Sequence, residues 1–359
     1  MIRGHGGNIY ALAAALGCPT DAITDMSSNV NPFGPPPGLV AHLQDHMTRI
    51  QALPEVDAHG AVALFAERFG IPEDQILAGN GTTPLIYSLP RALETRLALI
   101  VGPTYADYRD GCRQNGVDSA CWLTRKEDDF KPDLVAIEDV LQPCDTVYIC
   151  NPNNPTGCLV EGEALRRLSR KFPDKTFVVD ESYLPFVPEP DECSLMAERP
   201  ANVLVLHSMS KIFRIPGLRI GYMVGDPGLV DRMRHYALPW SVNSLAMEAV
   251  RFLLRPDEGI DRFVEATRSR LTEEKTYMTR RLAAIPGIRL YPSVTGFFLI
   301  QLPRPHRSED ICREMARNKI LVRDCANFKG LSDRFIRISL QDREINQRCA
   351  ELLESLLAT

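Results

Sequence analysis

The chain has 359 residues, 45% of them hydrophobic and 24% charged, which is usual for a soluble globular protein with a sizeable core. Its formal net charge of -5 and its lack of basic runs argue against a nucleic-acid partner. The ten cysteines include no C-x-x-C pair, so no metal site is expected. Neither an apolar signal segment nor an uninterrupted apolar span occurs, which predicts a cytoplasmic protein with reduced thiols and no membrane partner.

The N-terminal region combines loops rich in glycine or asparagine with helical patterns. Residues 4–8, GHGGN, precede a helix predicted over Ile9–Leu16. This arm is either a loose terminus or a place where backbone N–H groups close on an anion. Residues 28–34, SNVNPFG, are typical of a turn with local hydrogen bonds. Further helices are predicted over residues 38–50 and 60–69.

The central region has the pattern of strands separated by helices. Strands are predicted from apolar runs at residues 76–78, 97–101, 146–150, 176–179, 203–206 and 220–224. Helical patterns follow most of these runs, which indicates a mainly parallel sheet flanked by helices, an α/β fold. Because ligands bind at the carboxyl ends of the strands in such open sheets, polar residues directly after a strand are candidate site residues.

Polar turns follow three of the predicted strands. Residues 79–83, GNGTT, precede a helical pattern, and such a turn presents free N–H groups that suit a phosphate, although many turns share this weak pattern. Residues 151–157, NPNNPTG, form a rigid turn from which Asn154 can direct its amide at a ligand. Asp180 ends a buried strand and needs a partner, for which a protonated pyridine nitrogen is suited. Tyr105 packs either in the core or against a planar cofactor ring.

Lys211 lies in the polar turn SMSK between two apolar runs. An ammonium group loses solvation between buried strands, so few structural roles explain a lysine there. Its two interpretations are a solvated loop lysine and a Schiff-base lysine, whose lowered pKa suits attack on a carbonyl. Two serines shortly before the lysine and an arginine shortly after it favour the second interpretation.

The C-terminal region predicts a smaller α+β lobe. Helices are predicted over residues 243–254, 258–284 and 342–357, and strands near Arg289 and over residues 297–302, 320–323 and 335–340. We expect residues 1–45 to form an N-terminal arm and part of the small domain, residues 46–250 the large cofactor-binding domain, and residues 251–359 the small C-terminal domain.

Four motifs together resemble the fold-type I pyridoxal-phosphate superfamily, which includes the class I and II aminotransferases. The motifs are NPNNPTG at 151–157, DESY at 180–183, SMSK at 208–211 and RIGY at 219–222. They occur in the superfamily's order and spacing over most of the chain. The resemblance implies a fold-type I PLP-dependent transferase fold, with a large and a smaller domain, and pyridoxal 5′-phosphate (PLP) as cofactor.

The resemblance also implies a role for each residue of the cofactor site. Lys211 carries the cofactor aldehyde, and Asp180 pairs with the ring nitrogen. Asn154 and Tyr183 hydrogen-bond the ring O3′, and Tyr105 stacks on the ring. Of these residues, Lys211, Asp180 and Tyr183 are the candidate catalytic residues. The cofactor phosphate and the turn around it are assigned to Gly81, Thr82, Ser208, Ser210 and Arg219.

Within the superfamily, the chain is similar to the threonine-phosphate decarboxylases of cobalamin biosynthesis. This similarity depends on HGGN near the N-terminus, PWSVN at residues 239–243 and RDCANFKGL at residues 323–331. It implies a small phosphorylated amino acid as substrate, held by His5, Gly6, Asn29, Asn154, Arg323 and Arg337. Two arginines in one cleft suit a carboxylate and a phosphate, and the alternative for Arg337 is a solvated strand arginine.

The implied reaction is decarboxylation of L-threonine O-3-phosphate to (R)-1-amino-2-propanol O-2-phosphate with release of carbon dioxide. A histidinol-phosphate-type aminotransferase is one alternative, because it would use the same cofactor residues. Serine phosphate, which would give ethanolamine phosphate, is another substrate and differs by one methyl group. A non-catalytic cofactor-binding sensor would need an attached effector domain, which is not expected here.

A homodimer is expected from the same resemblance. Relatives commonly carry a tyrosine before a proline, and this tyrosine reaches the cofactor phosphate of the neighbouring subunit. Leu53 stands in that place here, followed by Pro54. The homodimer therefore stays the prediction, while this contact between subunits is open.

Overall fold

The structure, a computed structural model, describes residues 6–255 and 258–358, without the side chain of Glu258. Its helices are α1 Ile9–Leu16, α2 Leu39–Asp45, α3 His59–Phe69, α4 Thr82–Ala92, α5 Asp107–Gln114, α6 Leu134–Leu141, α7 Gly162–Lys171, α8 Pro190–Cys193, α9 Met209–Ile212, α10 Pro227–Arg234, α11 Ser244–Leu253, α12 Glu258–Ala283, α13 Ser308–Arg317 and α14 Arg343–Leu357. Its strands are β1 Thr24–Asp25, β2 Ile76–Gly79, β3 Leu97–Gly102, β4 Asp118–Leu123, β5 Thr146–Cys150, β6 Thr176–Asp180, β7 Val203–Ser208, β8 Gly221–Val224, β9 Arg289–Leu290, β10 Phe297–Gln301, β11 Ile320–Leu321, β12 Arg323–Asp324 and β13 Phe335–Ser339.

A large sheet contains seven of the described strands in the order β2-β8-β7-β6-β5-β3-β4. The strands from β4 to β7 are parallel, and β8 runs antiparallel to both of its neighbours. The inner strands β5 and β7 are buried along their whole length, which explains their continuous apolar sequences, because helices cover both faces of a parallel sheet. The predicted mainly parallel sheet flanked by helices is confirmed.

The C-terminal part of the chain forms a smaller antiparallel sheet in the order β12-β13-β10-β9. The N-terminal strand β1 pairs with β11 of this part, so the two ends of the chain meet. Antiparallel strands together with α13 and α14 agree with the α+β character expected there. The predicted domain boundaries stay predictions.

Two of the differences from the sequence analysis concern strands and have identifiable reasons. The strand β4 was not predicted, because it is the edge strand and its half-exposed residues do not form a continuous apolar run. The strand predicted over residues 320–323 is two strands, because β11 pairs with β1 whereas β12 pairs with β13 in another sheet. Within the described residues, every helix is too short or too polar to cross a bilayer.

Candidate active site

The turn that carries Lys211 is fixed by hydrogen bonds at both ends. The Ser208 side chain accepts from the backbone N–H of Ser210 at 3.3 Å and thereby caps α9. The Ser210 hydroxyl donates to the Ile220 carbonyl at 3.4 Å, and the backbone N–H of Asn31 donates to the Lys211 carbonyl at 2.9 Å. Held in this way, Lys211 lines two adjoining cavities at the carboxyl edge of the large sheet.

The charge of Lys211 is perturbed by its surroundings. Burial, together with the nearby cations of Arg219 and Arg337, lowers the pKa of Lys211 to about 8, against an opposing effect of Asp180. A larger fraction of the amine is therefore neutral near pH 7 than in a solvated lysine. A neutral amine in a cavity is the form that attacks a carbonyl carbon.

One of the two cavities, the inner cavity, has a volume of about 160 Å³. Its lining includes every residue predicted to hold the cofactor: Gly81, Thr82, Tyr105, Asn154, Asp180, Tyr183, Ser208, Ser210, Lys211 and Arg219. The folded chain thus brings together residues that are distributed over most of its large sheet.

One end of the inner cavity is built for a phosphate group. Gly81 has a φ of +76° and precedes the first turn of α4, which offers free N–H groups and the positive end of the helix dipole. A Cβ atom at Gly81 would lie only 2.5 Å from Nη2 of Arg219, so only glycine permits the guanidinium to sit there. The Ser208 hydroxyl lines the same cavity.

At Asp180, the inner cavity offers a partner for a ring nitrogen. This side chain is 5% exposed and ends β6. One carboxylate oxygen accepts from the Tyr108 hydroxyl at 2.7 Å, and the other accepts from the backbone N–H of Ser182 at 2.9 Å. Each oxygen retains a lone pair for a further donor. Tyr108 was missed by the sequence analysis, although its position one helical turn after Tyr105 is a signal that could have identified it.

Tyr183 lies between the two cavities and is buried. Burial raises the pKa of its hydroxyl to about 12, although Arg337 and the hydrogen bond from Asn29 act in the opposite direction. The Asn29 amide donates to this hydroxyl at 3.4 Å. Tyr183 therefore stays protonated near neutral pH and can donate to a ring oxygen. The inner cavity therefore fits PLP. It combines a phosphate-binding turn with a buried carboxylate, an amine and a phenol.

The second cavity, the outer cavity, has a volume of about 170 Å³ and shares Tyr105, Asn154, Tyr183 and Lys211 with the inner one. Its described lining contains five cationic side chains and no aspartate or glutamate. The cations are Arg109, Lys211, Arg323, Lys329 and Arg337. Since the chain as a whole has a net charge of -5, this cavity concentrates positive charge and favours an anionic ligand.

Arg337 is the most buried of these cations, with 4% of its surface exposed. It donates to Oδ1 of Asn154 and to the Ser27 carbonyl, while its Nε has no hydrogen-bond partner among the described residues. It forms no ion pair with a described carboxylate, and burial lowers its pKa. The alternative of a solvated strand arginine is therefore wrong. A buried guanidinium of this kind suits a carboxylate or phosphate ligand.

The remaining predicted substrate contacts surround Arg337. Gly6 lines the outer cavity, and a Cβ there would collide with the Ser27 carbonyl that Arg337 contacts. The Asn29 side chain also lines it and accepts from the Ser339 hydroxyl at 2.7 Å. His5 lies outside the described residues.

Three further residues of the outer cavity were missed by the sequence analysis. Arg109 follows Tyr105 by about one helical turn, and Lys329 lies within the stretch RDCANFKGL. Ser27 lies directly before the asparagine-rich turn and is nearly fully buried. Sequence signals for the two cations exist. Arg109 lies near the predicted site residue Tyr105, and Lys329 lies in the same short stretch as the predicted site residue Arg323.

Comparison with known proteins identifies the family. Residues 21–353 match the profile of the family Aminotransferase class I and II. The chain belongs to this family. It is 32% identical to threonine-phosphate decarboxylase of Salmonella typhimurium over 98% of its own length and 96% of that protein. It is also 26% identical to histidinol-phosphate aminotransferase of Methanocaldococcus jannaschii, over 97% of this chain and 92% of that one.

Solved structures confirm the fold-type I architecture. L-threonine-O-3-phosphate decarboxylase from Porphyromonas gingivalis is similar with a TM-score of 0.83 and 30% identity, covering 94% of this chain and 100% of that one. Histidinol-phosphate aminotransferase from Sinorhizobium meliloti, solved in complex with pyridoxal-5′-phosphate, shares the fold at 19% identity with a TM-score of 0.82, over 98% and 95% of the two chains. The predicted superfamily and the prediction of an enzyme with PLP as cofactor are confirmed.

Proposed function

We propose that the protein is a PLP-dependent carboxy-lyase that converts L-threonine O-3-phosphate to (R)-1-amino-2-propanol O-2-phosphate and carbon dioxide, in cobalamin biosynthesis. The observation that carries this proposal is the outer cavity, which has five cationic side chains and no described acidic one. A substrate with a carboxylate and a phosphate supplies the matching negative charge. The similarity to a threonine-phosphate decarboxylase over nearly the whole chain supports the same substrate.

The proposed residue roles follow from the two cavities. The bound cofactor supplies an electron sink for the bond that breaks at the substrate Cα. Asp180, oriented by Tyr108, keeps the ring nitrogen protonated, and Lys211 returns a proton to Cα. Tyr183 donates its hydroxyl proton to a ring oxygen, because its raised pKa keeps it protonated.

The anion anchors decide which bond at Cα breaks. Arg337 is proposed to bind the carboxylate, since it is the deepest cation and contacts Asn154 at the border of the two cavities. Arg323 and Lys329 are proposed to bind the phosphate. Two fixed anion positions set the rotation of the substrate about its Cα–N bond, so the same cofactor residues serve decarboxylation or transamination according to this rotation.

The test is incubation of the holoenzyme with L-threonine O-3-phosphate without any 2-oxo acid, followed by product mass and carbon dioxide measurement. A decarboxylase gives many turnovers per active site, because the cofactor aldehyde is regenerated in each cycle. A single turnover that restarts on addition of 2-oxoglutarate refutes the proposal. A parallel incubation with L-serine O-phosphate decides between the two phospho-amino acids.

Histidinol-phosphate aminotransfer is the second candidate, because a relative of that name is 26% identical over 97% of this chain and such an enzyme would use the same inner cavity. Incubation with histidinol phosphate and 2-oxoglutarate tests it directly. Formation of glutamate at a rate above that of carbon dioxide release from threonine phosphate would favour this candidate.

We also propose a homodimer, supported by an apolar surface patch. The patch consists of exposed large hydrophobic residues from two neighbouring segments: Met47, Ile50, Leu53, Val56, Leu238 and Trp240. The backbone N–H of Trp240 donates to the Val56 carbonyl at 2.8 Å, which joins the two segments. Leu53 is 76% exposed and Leu238 is 75% exposed, and exposed patches of this kind mark protein interfaces. The cytoplasmic location stays a prediction.

A further inference from the structure

A third cavity, the back cavity, lies behind the turn that carries Lys211 and has a volume of about 620 Å³. Successive side chains of a strand point to opposite faces, and on β7 Ser208 lines the inner cavity while His207 lines the back cavity. Met209 and Ile212, on α9 with Lys211, also line the back cavity. It is therefore separated from the cofactor by the strand and turn themselves.

Most of the wall of the back cavity is apolar. It is formed mainly by side chains of α3, α9, α11 and α12, among them Phe69, Met209, Ile212, Leu253, Ile260 and Val264. Aromatic rings and thioether sulfurs such as these make favourable contacts with an aromatic ligand. The wall thus favours an apolar ring over a hydrated ion.

His207 is a buried polar side chain of this wall. It is 8% exposed, and no described residue hydrogen-bonds with it. Its contacts are edge-on ring contacts with Phe65 and Phe69, at centroid distances of 5.6 and 5.7 Å. Burial lowers the pKa of His207 to about 4, so near pH 7 the ring is neutral, with one N–H donor and one acceptor nitrogen. The ring nitrogens are not completely enclosed by protein atoms, so they face the cavity, where a ligand could form a hydrogen bond with them.

Four of the charged groups around the back cavity form two ion pairs. Arg68 pairs with Asp261. Arg268 pairs with Glu265 at 3.5 Å and donates to the Pro185 carbonyl at 2.9 Å. The described lining contains three arginines and four acidic residues, so charges of both signs are mixed here, in contrast to the outer cavity.

Glu181, on the same wall, is satisfied by its own neighbours. Its two carboxylate oxygens accept from the Ser194 hydroxyl at 2.6 Å and from the backbone N–H of Leu195 at 2.7 Å. Glu181 is therefore already hydrogen-bonded, whereas His207 is available to a ligand. A neutral ligand fits this cavity better than an ion.

We propose that the back cavity is a binding site for a neutral aromatic molecule that carries one hydrogen-bonding group. The ring lies among Phe69, Met209 and Ile212, and the hydrogen-bonding group pairs with His207. The proposal is independent of the proposed reaction, because a doubly anionic phospho-amino acid has no matching charge here. A molecule in this site contacts the reverse side of the turn that holds Lys211.

The test is equilibrium dialysis of the holoenzyme at pH 7 with 2-naphthol and with naphthalene, which has the same ring system without the hydroxyl group. We expect saturable binding of one 2-naphthol per chain and about tenfold weaker binding of naphthalene, the effect of one hydrogen bond. His207→Phe keeps an aromatic ring in the cluster and removes the hydrogen bond. It should reduce 2-naphthol binding to the level of naphthalene and leave naphthalene binding unchanged.

Val264→Trp, which fills the cavity from a half-buried position on α12, should abolish binding of both probes. Val135→Trp, at a 76% exposed valine on α6, is the matched control and should bind both normally. Absence of saturable 2-naphthol binding, or binding that Val264→Trp leaves intact, would overturn the site. Equal affinity of the wild type for the two probes would overturn the role of His207 and the ligand class. If His207→Phe does not fold, a crystal structure of the wild type with 2-naphthol decides whether the hydroxyl lies on His207.

Discussion

At the scale of single residues, the environment of Lys211 sets a measurable pH dependence. Its pKa is lowered to about 8, mainly by burial and then by Arg219 and Arg337, so the neutral amine is half-populated near pH 8. We expect capture of PLP by the apoprotein to be slow at pH 6.5 and to rise with a midpoint near pH 8. A solvated lysine would show its midpoint near pH 10.4. The measurement is stopped-flow absorbance of the lysine-bound cofactor.

Two variants make this pH profile specific for Lys211. Lys211→Ala retains Lys275, whose pKa burial also lowers to about 8, so it reports any capture by other lysines. Arg337→Gln removes a neighbouring cation and should move the midpoint to higher pH. A wild-type midpoint at or above pH 10 would contradict the assigned environment of Lys211.

Tyr108 is expected to act through Asp180 as a positioning residue. Tyr108→Phe removes the hydroxyl that donates to Asp180 at 2.7 Å and leaves the ring in place. Loss of one hydrogen bond to a charged group changes a free energy by about 1.5 kcal/mol, which corresponds to roughly a tenfold lower kcat. KM for the phospho-amino acid should not change, because Tyr108 does not line the outer cavity.

The neighbouring Tyr148 provides a matched control for this substitution. Its ring stacks on Tyr108 at a centroid distance of 5.6 Å, and its buried hydroxyl has no hydrogen-bond partner among the described residues. Tyr148→Phe should therefore leave kcat unchanged. Equal losses of kcat in the two variants would indicate a packing effect rather than support of Asp180.

At the scale of elements, two cationic residues face each other across a strand pair. Arg323 on β12 is directly opposite Arg337 on β13, and like charges in such pairs destabilise a sheet by about 0.2–1 kcal/mol. A bound anion relieves this repulsion. We therefore expect inorganic phosphate at tenfold its Kd to raise the unfolding midpoint of the wild-type holoenzyme by about 2 °C.

Calorimetry of Arg323→Gln tests this interpretation of the strand pair. Without phosphate, this variant should be as stable as the wild type or slightly more stable, and phosphate should raise its midpoint less. Arg289→Gln, on β9 of the same small sheet but outside the outer cavity, should respond as the wild type does. Sodium chloride at equal ionic strength separates binding from screening. Equal phosphate responses in all three proteins would contradict an anion site at Arg323.

The elements also show how far a single sequence determines the site. The buried strands β5 and β7 could be predicted because their apolar runs are continuous, and the polar turns after β5, β6 and β7 could be predicted because they follow those runs directly. The hydrogen bond between Tyr108 and Asp180 could not be predicted, since the two residues are 72 positions apart and only the fold brings them together. The split between β11 and β12 depends on pairing with β1, which is equally non-local.

At the scale of the whole molecule, the net charge does not reveal how charge is distributed between the cavities that bind ligands. A net charge of -5 argues against an anionic ligand, yet the outer cavity collects five cations from separate segments of the chain. The back cavity differs, with charged groups of both signs and one neutral imidazole. Composition bounds the class of protein, whereas ligand preference depends on which residues the topology brings to each cavity.

The apolar patch around Leu53 and Leu238 gives an expectation for the assembly. The wild type should sediment as a dimer, with Leu238→Glu and Trp240→Lys as monomers at the same concentration. Burying a leucine contributes about 1.5–3 kcal/mol, and a twofold-symmetric interface contains each position twice, so one substitution should raise the dimer Kd by roughly 100-fold or more. Val135→Lys introduces a charge at a 76% exposed valine outside the patch and should leave the dimer intact. Sedimentation velocity over a range of protein concentrations measures the change. A monomeric wild type would contradict the homodimer, and a dimer that both patch variants preserve would place the interface elsewhere.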